Sequence, residues 1–152
     1  MVRTIKLVVS DLHVGGGDPL LDGFGQRQQA ALDGLLAAAS RNSGSPLGDG
    51  DDVELIVNGD GFDFQMVAPY GAGGVIAASQ AMEKLLNIMS AHRPFFGALR
   101  AFLRQPGRHI TFMTGNHASG SYQGGHFFHN LPWLGQVHQQ KTGMNEVKGS
   151  SR

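Results

Sequence analysis

Three stretches of this chain each end in residues able to hold a cation. Asp11 and His13 close the run Ile5-Lys-Leu-Val-Val-Ser-Asp-Leu-His13. Side chains two apart in extended chain point the same way, so these two can serve one ion together. Asp60 lies in Val53-Glu-Leu-Ile-Val-Asn-Gly-Asp-Gly-Phe-Asp63, and Asn116 and His117 end His109-Ile-Thr-Phe-Met-Thr-Gly-Asn-His117. Carboxylate, imidazole and amide oxygen form a hard-to-borderline donor set. On one crevice, Asp60 can share the first ion and reach a second, to which Asn116 offers its amide oxygen. Two divalent ions about 3.5–4 Å apart generate hydroxide near neutral pH and stabilise both ends of an in-line displacement at phosphorus. His117 would protonate the departing alkoxide or brace a phosphoryl oxygen. Asp63 is expected to hold the loop or a ligating imidazole rather than the metal.

Such a crevice requires strands of one sheet, because ligand sites in open α/β sheets form outside the carboxyl ends of strands. Thr4–Ser10 is apolar on both parities, as expected for a strand buried on both faces. Val53–Asn58 and His109–Thr114 read as the second and third strands. Between them, Gln26 to Ala39 carries Leu32, Leu35, Leu36 and Ala39 as one helical stripe. Ala77–Ser90 places Met82, Leu85, Leu86 and Met89 on a second. Pro94 opens a third helix with Phe95, Phe96, Leu99, Phe102 and Leu103 inward. Strands alternating with helices predict right-handed crossovers and a mostly parallel α/β sheet. Residues 42–52 read as an exposed, mobile loop, and residues 65–74 as a glycine-containing loop of the kind that closes over substrate. His92 and His109, at element ends, read as solvated or capping.

Composition narrows the chemistry. The 152 residues carry a formal net charge of zero, 23 glycines and no cysteine. Thiolate catalysis, disulfides and cysteine-ligated zinc or iron–sulfur centres are excluded, and global charge gives no support for nucleic acid as partner. No apolar stretch approaches membrane-spanning length, and the first residues lack the h-region of a secretory signal, so the expected location is the cytoplasm. Gly15-Gly-Gly17 and Gly71-Ala-Gly-Gly74 match neither a P-loop nor a dinucleotide fingerprint and read as loop glycines. No Gly-x-Ser-x-Gly elbow is present.

Asp11-Leu-His13, Gly59-Asp60-Gly-Phe-Asp63 and Gly115-Asn116-His117, in that order, resemble the calcineurin-like metallophosphoesterases, most closely the bacterial members related to UDP-diacylglucosamine pyrophosphohydrolases. The resemblance covers residues 4 to 117. It implies the N-terminal part of a four-layer α/β/β/α sandwich and two divalent ions, Mn, Fe or Zn. Asp11 and His13 would bind the first ion, Asp60 would bridge, Asn116 would bind the second and His117 would be catalytic. The substrate would be a phosphorylated small molecule or a lipid-linked phosphate. Two departures accompany the match. Ala118 stands where the family has an acid after Gly-Asn-His, and the later Gly-His and Gly-His-x-His have no counterpart at a plausible distance. Residues 1–117 therefore read as a metallophosphoesterase N-terminal region. Residues 118–152 read as a divergent, partly disordered tail, in which Phe127, Phe128 and Trp133 are candidates to pack on the sheet and His126, His129 and His138 could stand in for absent ligands. Three readings follow: a phosphoesterase, a truncated or frame-shifted remnant that binds metal weakly or needs a partner chain, and a homo-oligomer whose second copy completes the site.

Overall fold

The computed structural model describes residues 3–68, 78–113 and 115, the side chains of residues 78 and 79 excepted. Three strands, β1 (Thr4–Ser10), β2 (Asp52–Asn58) and β3 (Arg108–Met113), form a parallel sheet in the order β1-β2-β3. Helix α1 (Gln26–Ala39) connects β1 to β2. A 3-10 turn (Phe64–Met66), α2 (Ala78–Ala91) and α3 (Arg93–Leu103) lie between β2 and β3. Among the described residues the chain is thus mixed α/β, as its alternating patterns predict.

Strand order explains the layering. Successive right-handed crossovers that step the same way across a sheet put their helices on one face. That face carries Ile5, Leu7 and Val9 from β1, Val53, Leu55 and Val57 from β2, and Ile110 and Phe112 from β3. They share one apolar core with Leu32, Leu36 and Ala39 of α1, Leu85 and Ile88 of α2, and Phe95, Phe96, Leu99 and Phe102 of α3. On the other face exposure is 62% at Val8 but only 6% at Thr111, with Ile56 between them in the same row of the register and half-buried. The expectation that Thr4–Ser10 is buried on both faces is corrected: the strand alternates between exposed and half-buried positions, because the described helices pack against one side of it. Lys6 approaches Glu54 at 3.3 Å on that outer face, and the Thr111 hydroxyl donates to Glu54 at 2.6 Å. The Thr111 bond, with Lys6 beside it, holds the Glu54 carboxyl below its ordinary pKa against the opposing effect of burial.

Helices α1 and α3 follow their patterns. Gly25 N–H donates to the Gln28 side chain at 3.2 Å to start α1, and Pro94 sits in the first turn of α3, where a missing N–H costs no helical bond. Helix α2 is rotated from its expected stripe. Ala81, Lys84, Leu85 and Ile88 face inward, while Met82 and Leu86 are 38% and 56% exposed. A lysine takes an inward position, which a purely apolar stripe cannot anticipate. Its Nζ donates to the Phe64 carbonyl at 2.8 Å, and burial pushes its pKa down.

The connection from α1 to β2 is also tied down rather than loose. Arg108 is buried, and its guanidinium donates to the carbonyls of Ala39, Gly48, Gly50 and Gly107 at 3.0–3.3 Å. Residues 42–52 are largely exposed, as expected, and Arg108 holds the carbonyls of Gly48 and Gly50 at their glycine end.

Candidate metal centre

The register brings the first two motifs, and Gly115 of the third, to one end of the sheet. Ser10, Asn58 and Met113 are aligned across the sheet, so the segments beginning at Asp11, Gly59 and residue 114 leave from neighbouring strand ends. Pairing continues past the regular strands. His13 N–H donates to the Asp60 carbonyl at 2.9 Å, Val14 N–H to Gly61 at 3.1 Å, and Asp63 N–H to Val14 at 3.1 Å, with Val14 and Phe62 in an isolated parallel bridge. Phe62 is buried beneath this second ladder and stacks on Phe96 and Phe112, at 5.9 and 5.5 Å between ring centres. The loops that carry the donors thus rest on core.

Within this frame Asp11, His13 and Asp60 each offer a ligand atom, and these atoms all lie within 4.8 Å of one another. Asp11 is exposed, His13 half-buried and Asp60 buried, so the group runs from solvent into the protein. All three have left-handed backbones, at φ 54°, 47° and 35°; Asn42, in a surface turn, is the one other such non-glycine among the described residues. Gly59 precedes Asp60 at φ 74°. Gly115 is required for a different reason. A Cβ there would stand 2.1 Å from both the amide nitrogen and Oδ1 of Asp60, so the third motif's backbone lies directly on the second motif's carboxylate. Two carboxylates and an imidazole at this spacing could hold a metal ion. Asp63 has the expected place beside the candidate imidazole: its Oδ2 is 3.5 Å from His13 Nδ1. Comparison with models of known protein families, with curated proteins and with solved structures finds no match. The reading of the site therefore rests on its own geometry.

Asn116 and His117 lie outside the described residues, as do the tail candidates His126, His129 and His138 and most of the proposed closing loop, of which residues 65–68 are described. Gly115, which leads into Asn116, is in place against Asp60. His109 is at the sheet's outer face, its Nε2 3.6 Å from Asp52, both 45% exposed; it belongs to the solvated class expected of it.

His92 does not. It is the residue before α3, yet its side chain makes no capping bond. Its Nε2 instead meets Asp22 Oδ2 at 2.6 Å, with the two side chains 13% and 6% exposed. The Asp22 carboxylate also accepts N–H bonds from Gly15, Gly17 and Phe24 at 3.1, 2.6 and 2.9 Å. Burial pushes the Asp22 pKa up, but the bonds from Phe24, His92, Gly17 and Gly15 together outweigh it and leave the carboxyl below its ordinary value. Sequence reasoning passed over Asp22. Its one local signal is an aspartate two residues before Phe24, the spacing of an Asx turn.

Proposed function

We propose that this chain is a metal-dependent phosphoesterase of the calcineurin-like class, acting on a phosphomonoester, phosphodiester or pyrophosphate. The observation that carries the reading is the convergence of Asp11, His13 and Asp60, all in left-handed backbone, at aligned ends of parallel strands. Three donors to one ion at a single end of the sheet, in backbone of a kind that gathers at functional sites, support that reading. Asp11, His13 and Asp60 would hold the first ion, and Asp60 with Asn116 a second. Bound divalent ions supply Lewis acidity toward a phosphoryl oxygen and lower the pKa of water toward neutrality. The chain's own contribution is positional: Asp63 orients the His13 ring, Gly115 lets the third loop close on Asp60, and His117 is the group offered to the leaving oxygen. Mn, Fe and Zn all suit this donor set, and the four-layer sandwich is the architecture this function implies.

A metal-binding site without turnover is the second reading. What favours it is Ala118, which stands where the resemblance expects an acid beside His117. Manganese-dependent hydrolysis of bis-p-nitrophenyl phosphate by the purified chain separates the two. Turnover that falls at least a hundredfold in Asp60→Asn supports the phosphoesterase. Manganese binding that Asp60→Asn abolishes, with no turnover in either protein, supports the second.

A further inference from the structure

The first loop has to hold Asp11 and His13 steady, although residues 11–25 contain no helix or strand. Beside the ladder bonds of His13 and Val14, the rest of the loop is gathered largely on one carboxylate. Asp22 Oδ1 accepts from Gly15 and Phe24, and Oδ2 from Gly17 and His92. Gly15 is shaped for that role, since a Cβ on it would stand 3.1 Å from the Asp22 carboxylate carbon. Between Asp22 and Phe24, both fixed in this way, lies Gly23. A Cβ on Gly23 would stand 3.1 Å from His13 Cβ, so the backbone here is the wall against which the His13 side chain rests. The helical layer anchors the far end. His92 and Phe95 both meet Phe24 edge-on, at 5.7 and 5.2 Å between ring centres.

We infer that Asp22 and His92 are positioning residues for the metal site: bonded to each other, they fix the turn whose Gly23 braces His13 and so set the imidazole for the cation before it binds. The inference rests on the function proposed above, and it adds residues from outside the three motifs. His13 is thereby held from two sides, by Asp63 at Nδ1 and by Gly23 at Cβ. A ligand fixed before binding loses less freedom when the metal arrives, and partners behind metal ligands commonly carry about 10- to 100-fold in affinity.

The experiment is manganese titration of the full, metal-stripped chain followed by electron paramagnetic resonance, with thermal melting of each metal-free variant alongside. His92→Ala is expected to weaken manganese binding roughly tenfold, and His92→Gln, which keeps an N–H donor for Asp22, to recover most of the loss. Recovery of affinity by the glutamine and not by His92→Leu, which restores bulk without an N–H donor, marks a positioning bond. Gly23→Ala supplies a second variant that leaves Asp22 and His92 untouched, and it too is expected to weaken binding. Wild-type affinity in folded His92→Ala, or in Gly23→Ala where His92→Ala does not fold, overturns the inference while the metal site stands. Wild-type protein that binds no manganese, or binds it regardless of Asp60→Asn, overturns the proposed function and this inference with it.

Discussion

Asp11, His13 and Asp60 adopt backbone angles that an L-residue reaches at a cost of about 1–2 kcal/mol each. Strain of this kind persists where the surrounding structure enforces it, and it gathers at functional sites. Here the enforcement is visible in the ladder that continues from His13 to Asp63. Asp11 is the cleanest place to read the strain, because it is exposed. In ordinary loop or strand backbone, alanine is as stable as glycine or more so, since glycine gives up more freedom on folding. At φ 54° the order should invert. Asp11→Gly is expected to exceed Asp11→Ala by about 1 kcal/mol in urea denaturation of the metal-free protein, while both lose manganese affinity. Alanine equal to or above glycine would mean that Asp11 sits in relaxed backbone, and that the geometry does not single out the site.

At the scale of elements, the sheet and helices were legible because their signals are local. Short apolar runs ending in Gly-Asp or Asp-x-His mark β1 and β2, although the alternation of β1 between exposed and half-buried positions was not read from them, and the Phe95, Phe96, Leu99, Phe102 spacing marks the inward face of α3. What was not legible depends on partners far along the chain. Asp22 and His92 are 70 residues apart, and neither is remarkable in its own neighbourhood. Lys84 turned the α2 stripe because a carbonyl 20 residues away accepts a hydrogen bond from its Nζ, so an interior lysine replaced the Met82 or Leu86 that hydrophobicity alone would choose. Arg108 belongs to the same class: a strand residue whose guanidinium gathers carbonyls from α1, the following loop and the turn before β3. Removing it would strand buried carbonyls that water cannot reach. Arg108→Met is therefore expected to cost about 3 kcal/mol in chemical denaturation. Arg108→Lys should recover little, since one ammonium lacks the planar fork that spans several acceptors. A cost below about 0.5 kcal/mol would show that these carbonyls find other donors and that the α1–β2 connection does not depend on Arg108.

For the molecule as a whole, the question is what the outer sheet face does. Helices cover the Ile5–Leu7–Val9 side, and the strand order gives no crossover that could place one of these helices on the other. The sandwich implied by the resemblance would instead cover that face with a second sheet. Val8 separates the two arrangements, because it stands on β1, in register with Ile56 of β2, and is 62% exposed. An exposed valine on a strand can be exchanged for a charged residue with a change within about 0.5 kcal/mol, whereas a valine sealed between two sheets cannot: a buried, unpaired ammonium costs several times that. Val8→Lys is therefore expected to leave the urea midpoint of the isolated chain nearly unchanged and to keep manganese binding, since the site lies beyond the strand end and on core packed from the other side. A loss above about 2 kcal/mol would place Val8 under a covering layer, and concentration dependence of that loss would assign the layer to a second copy. If the midpoint holds, the candidate metal site stands, among the described residues, on one sheet with helices behind it, and Asp11, His13 and Asp60 owe their geometry to the loop ladder and to Asp22 rather than to enclosure within a sandwich.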